Sequence, residues 1–203
     1  MAAFFSNLVI QTISFLGYGG IFLLMVLESA NIPIPSEIIM SFAGFLVFQN
    51  KFNFLLVILI GTIGNVFGSL LSYWFAEWIL NLRNKFKFLH IILSTKHLHK
   101  TNQWFEKYGI YSVFIGRIVP IVRTFISLPA GIAKMNMVKF IFFTFCGSFL
   151  WSMFLTYSGF ILGENWAMLS KYFHYIDIYL IFIVIIFIIF LVRKSYNKNL
   201  TNK

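Results

Sequence analysis

Glu28-Ser29-Ala30-Asn31-Ile32-Pro33-Ile34-Pro35-Ser36-Glu37 sets two acids and two prolines inside apolar sequence. A second stretch of the same kind runs Phe114-Ile115-Gly116-Arg117-Ile118-Val119-Pro120-Ile121-Val122-Arg123-Thr124, with two arginines around a proline, and Pro129 closes it. In a bilayer a broken helix leaves backbone groups without partners, and a charge is costly unless protein or water satisfies it. Breaks that coincide with charge, acidic in one stretch and basic in the other, predict a polar site inside a membrane protein.

The rest of the composition agrees. Of 203 residues, 60% are hydrophobic, 20% aromatic and only 11% charged. A soluble domain cannot hide that much apolar surface, so lipid is the expected solvent. At about 20 residues per span the length suits one membrane domain over 1–203, with no room for a separate soluble enzyme domain. The net charge of +10 comes from 16 Lys and Arg against 6 Asp and Glu. On a membrane protein this means positive cytoplasmic loops and contact with anionic lipid, not nucleic acid. Cys146 is the only cysteine, which excludes an intramolecular disulfide. Met1–Gln11 holds no basic residue and no small-residue cleavage site follows, so the first apolar run reads as a retained span and not a signal peptide.

Apolar runs over 8–27, 52–80, 137–163 and 176–192 are each long enough to cross the membrane, giving about four full spans. The stretches 32–48 and 110–132 are shorter and carry Pro, Gly and charge. They are expected to be re-entrant hairpins. The stretch 81–107 and the tail 193–203 are basic and belong in the cytoplasm, whereas 164–177 belongs outside. Working back along the chain puts both termini in the cytoplasm and makes the two hairpins dip in from opposite faces. Phe42-Ala43-Gly44-Phe45 and Pro129-Ala130-Gly131-Ile132 end the two hairpins alike, as an inverted repeat would require. The basic stretch 83–104, dotted with Phe and Leu, suits an amphipathic helix on the cytoplasmic leaflet. The expected fold is an all-α polytopic bundle with two opposed re-entrant hairpins.

Arg117 and Arg123 are the first candidates for chemistry. An arginine at the centre of a membrane helix costs about 2.5–3.5 kcal/mol on insertion scales, and its planar fork suits phosphate oxygens. Pro33, Pro35 and Pro120 break the helices and free backbone groups to line the same groove. Glu28 and Glu37 are candidate proton carriers or partners of the arginines, and Thr124 sits beside Arg123. Gly64 and Gly68 have the spacing of close helix packing, with Asn65 and Tyr73 on the same span as candidate groove-lining groups. No carboxylate or cysteine joins His90, His97, His99 or His174 at metal-ligand spacing, so no metal site is expected. No phosphate-loop, serine-hydrolase or zinc-protease motif occurs, and neither a cofactor nor an enzymatic activity is expected.

The chain resembles the DedA family, whose core is the VTT or SNARE-associated domain. The resemblance covers roughly 15–165. It rests on the acidic block Glu28–Glu37, on Phe105-Glu106-Lys107-Tyr108-Gly109, and on the arginine block from Phe114 through Ala130-Gly131 to Met135. It rests also on Gly147 to Trp151 followed by Gly159-Phe160-Ile161-Leu162-Gly163. One departure is Tyr73-Trp74-Phe75-Ala76-Glu77, where the family often has Tyr, Gly and a basic residue. The resemblance implies two opposed re-entrant hairpins in a bacterial cytoplasmic membrane protein. It implies lipid translocation, with undecaprenyl phosphate or phospholipid as substrate. It places the functional acids at Glu28 and Glu37 and the functional arginines at Arg117 and Arg123, and it permits proton linkage. A phospholipid scramblase, a proton-coupled small-solute transporter and a structural or assembly factor are the alternatives.

Overall fold

The computed structural model describes residues 2–32, 34–82, 111–120 and 122–163. The expected span over 176–192, the basic stretch 83–104, the tail, the histidines and Pro33 lie outside them. The described residues are all-helical: α1 Ala2–Leu16, α2 Tyr18–Ser29, α3 Ser36–Phe48, α4 Phe54–Leu82, α5 Tyr111–Ile118, α6 Val122–Phe125, α7 Ser127–Ile132 and α8 Met137–Ile161.

Only α4 and α8 among these are long and apolar enough to cross a bilayer. At 29 and 25 residues they measure about 43 and 37 Å from the 1.5 Å rise per residue. They are inside-out by the standards of a water-soluble core. Leu55, Ile63, Phe67, Leu71, Trp74 and Trp78 of α4 are exposed, while Thr62, Asn65, Ser69 and Ser72 are buried. On α8, Phe142, Phe154 and Ile161 face out and Thr144, Ser148, Ser152 and Thr156 face in. Large apolar side chains outside and small hydroxyls inside is what packing in lipid selects, because small residues let backbones approach and lipid solvates the rest.

The expected span over 8–27 is not one helix. Gly17 breaks it with φ 59° and ψ −131°, a conformation open to glycine, and separates α1 from α2. α2 and α3, at 12 and 13 residues, measure about 18 and 20 Å, too short for a core of about 30 Å. The first broken segment is therefore α2 with α3, over 18–48, and not 32–48 alone. Nor do the prolines stop α2. Asn31 takes φ 68°, its N–H donates to Glu28 O and the Ile32 N–H to Leu27 O, the paired bonds of a left-handed helix end. Pro35 then serves as the N-cap of α3. The second stretch breaks at Val119 and Pro120, as the proline predicts, and a second time at Ile126.

The two halves are joined to their long helices in the same way. Asn50 after α3 and Lys134 after α7 each take positive φ, and each turn makes the same two bonds. An asparagine cap follows: Asn53 Oδ1 accepts from Leu56 N–H and Asn136 Oδ1 from Lys139 N–H, both at 3.1 Å.

Glycines set the packing. Gly64 lies against Phe22 O and Gly68 against Val26 O, so α2 sits directly on α4 as the spacing predicts. Gly44 meets the backbone of Thr156 and Gly159 that of Ser41, which clasps α3 to α8 from both sides. Gly131 of α7 rests on Tyr73 O of α4, and Gly147 of α8 admits Phe114 O and the Arg117 side chain of α5. Exchanging α2, α3 and α4 for α5, α7 and α8 carries each of these helix pairings onto another.

Candidate functional site

Arg117, Arg123 and Glu28 are 1%, 3% and 4% exposed. Burying three charges is tolerable only if each is hydrogen-bonded, and their partners separate the roles of the two arginines. Arg123 Nη2 donates to Glu28 Oε2 at 3.0 Å, joining residues 95 apart in sequence. Ser29 Oγ donates to the same oxygen at 3.0 Å, and Thr124 Oγ1 to Glu28 Oε1 at 3.3 Å. Both oxygens of Glu28 are thus engaged, at the place where the end of α2 meets α6. The Arg123 guanidinium carbon lies 5.3 Å from the ring centroid of Trp151 on α8, within cation–π range.

Arg117 faces its own segment. Nη1 donates to Arg123 O and Nη2 to Ser127 Oγ, both at 2.6 Å, and the guanidinium stands 6.0 Å from the Phe140 ring centroid. It reaches across the break after α5 and fixes the backbone of Arg123. The two arginines looked equivalent in sequence; here one makes the ion pair and the other holds it in place. A lysine has no fork to serve both acceptors. Arg117→Lys is expected to lower the thermal midpoint of the purified protein, by the loss of about 1.5–3 kcal/mol for one bond to a charged donor. Arg123→Lys keeps a donor for Glu28 and should leave the midpoint close to wild type. Thermal unfolding in detergent checks both.

The remaining candidates divide. Thr124 joins the cluster through Glu28. Glu37 opens α3, half-buried, with Ser36 Oγ 3.5 Å from its carboxylate. Pro35 begins the same helix and Pro120 is exposed at the turn between α5 and α6. Asn65 and Tyr73 each bond α4 to another helix. Asn65 Oδ1 accepts from Ser148 Oγ at 2.8 Å and so bonds α4 to α8. Tyr73 donates to Met135 O at 2.8 Å and packs on Phe140, bonding α4 to the end of α7. Their spacing gave them the right face of α4; only the partner helices decide what that face meets.

Ser29, Ser127 and Trp151 complete the cluster and had no assigned role in sequence. Ser29 and Trp151 lie inside the motifs that carry the resemblance. Ser127 serves Arg117, ten residues before it and across two helix breaks, so no helical spacing marked it in the sequence. Three buried N–H groups here have no acceptor: Arg117 Nε, Arg123 Nη1 and Trp151 Nε1. Among the described residues no group of His, Cys, Asp and Glu could hold a metal.

The VTT domain model matches residues 34–161. Undecaprenyl phosphate transporter A of Staphylococcus aureus (strain NCTC 8325 / PS 47) is 34% identical over 193 residues, covering 92% of this chain and 95% of the relative. An alkaline phosphatase-like protein of Lactococcus lactis subsp. lactis (strain IL1403) is 32% identical over 204 residues, with 95% of each chain covered. Undecaprenyl phosphate transporter A of Bacillus subtilis (strain 168) is 33% identical over 155 residues, 74% of each chain. No solved structure matches the chain. The domain match, the two long apolar helices and the extent of these similarities show that the chain belongs to the VTT-domain, or DedA, family of membrane proteins.

Proposed function

We propose that this protein carries undecaprenyl phosphate across the bacterial cytoplasmic membrane, returning the carrier lipid from the outer to the inner leaflet. The observation that carries the proposal is the buried Arg123 guanidinium, which gives Nη2 to Glu28 and has Nη1 without an acceptor. A guanidinium in that condition binds a phosphate oxygen without first losing its carboxylate. Two relatives of this chain bear the name undecaprenyl phosphate transporter A, which favours a polyprenyl phosphate over other anions.

The proposed topology has two opposed re-entrant hairpins, α2–α3 and α5–α7, related as an inverted repeat, with the C-terminus in the cytoplasm. The exchange of helix pairings between the halves and the shared turn-and-cap joints before α4 and α8 support the repeat. Phosphate would approach Arg123, with Arg117 holding the loop in register. Phosphate at Nη1 leaves the pair intact; when the helices rearrange and part Arg123 from Glu28, the freed carboxylate takes up a proton, which couples transport to protons. Reconstitution in vesicles with labelled undecaprenyl phosphate tests this. Wild type should move label between leaflets and Arg123→Ala should not. Equal movement by both proteins overturns the proposal. Movement of zwitterionic phospholipid at the same rate as the carrier lipid replaces it with unselective scrambling.

A further inference from the structure

We infer that Trp151 is a second anion donor of this site: its indole N–H and Arg123 Nη1 together hold two oxygens of one phosphate group. The inference rests on the proposed function and adds a residue to it. Trp151 lies on α8, packed against the core formed by α2 and α3, with the Arg123 guanidinium over its ring. Its Nε1 is buried and meets no acceptor, and the same is true of Arg123 Nη1. Buried N–H groups are almost always paired, because an unmade bond forfeits hydration with nothing in return. Two unmet donors, one of them cationic, on side chains in mutual contact describe a site for an anion that offers more than one oxygen.

The division of labour follows from the groups. The ring face attracts the guanidinium and fixes its plane. The ring edge adds a neutral donor that adds no charge to the buried cluster and makes no demand on Glu28. An indole has no acceptor capacity, so it cannot bind a hydroxyl as donor and acceptor both. It favours a phosphate or another oxyanion over an alcohol. The site is built from three segments, α2, α6 and α8, so helix rearrangement during transport would assemble and dismantle it.

Trp151→Phe keeps the ring under Arg123 and removes only the N–H. In the full-length protein in nanodiscs, its affinity for undecaprenyl phosphate should fall about tenfold or more, the effect of losing one hydrogen bond to a charged acceptor. Its affinity for undecaprenol, which lacks the phosphate, should be unchanged. In wild type labelled with 15N at the indoles, the Trp151 N–H resonance should move downfield with undecaprenyl phosphate and stay put with undecaprenol. It can be assigned by eliminating the other four tryptophans, so the test survives if Trp151→Phe folds poorly. Wild-type affinity in Trp151→Phe, or an unmoved resonance, overturns the inference. If Arg123→Ala loses binding while Trp151→Phe keeps it, the phosphate site stands without Trp151. If both keep it, the proposed function falls as well.

Discussion

Glu28→Ala is expected to destabilise the protein strongly and to stop transport. Arg123 would be left a buried cation without its carboxylate, and Ser29 and Thr124 would lose their acceptors. Removing one member of a buried ion pair costs about 3–5 kcal/mol, a large part of what a small domain has. Glu28→Gln separates the two consequences. Its amide oxygen accepts from Arg123, and the amide nitrogen supplies no charge and takes up no proton. The fold should survive with a smaller drop in thermal midpoint, while transport is lost. Unfolding curves and vesicle assays on both variants check this. Full transport in Glu28→Gln would remove the ion pair from the mechanism.

Gly159→Val should fail to accumulate as a folded protein. A side chain at Gly159 would run into the backbone of Ser41, and one at Gly44 into the backbone of Thr156. Neither obstacle is the end of a flexible side chain, so α3 and α8 must separate along their whole crossing. That contact anchors the first broken segment to the second long helix, and its loss exposes the hydroxyls of Ser41, Ser152 and Thr156 to lipid. The expected cost exceeds the roughly 1–3 kcal/mol of an ordinary overpacked core. Gly19→Ala is the control, because nothing lies near the added methyl, and it should behave as wild type. Yield of monodisperse protein in detergent distinguishes them. A well-folded Gly159→Val would mean that α3 and α8 do not cross as described.

Much of this was legible in one sequence. The excess of apolar residues set the solvent. The coincidence of proline and charge marked the neighbourhood of both broken segments, and glycine spacing marked a face of α4 for close helix packing, which the structure gives to α2. Those signals act over a turn or two of chain. Pro33 and Pro35 are conspicuous breakers, but α2 ends before them at Asn31, which takes the left-handed conformation that asparagine tolerates better than most residues. The single span over 8–27 failed at Gly17 for a related reason: hydropathy does not register one residue with positive φ.

By itself the sequence determined the membrane class, that helices break near the two proline-and-charge motifs, and the presence of two acids and two arginines in them. Tertiary structure alone decided that Arg123 meets Glu28, that Arg117 turns back to Ser127, that Asn65 and Tyr73 serve helix contacts, and that Trp151 lies beneath a guanidinium. The reason is geometric. Local composition fixes what a segment is, but a bond across 95 residues depends on how closely two backbones approach. That distance is set by glycines whose partners are nowhere near them in the chain.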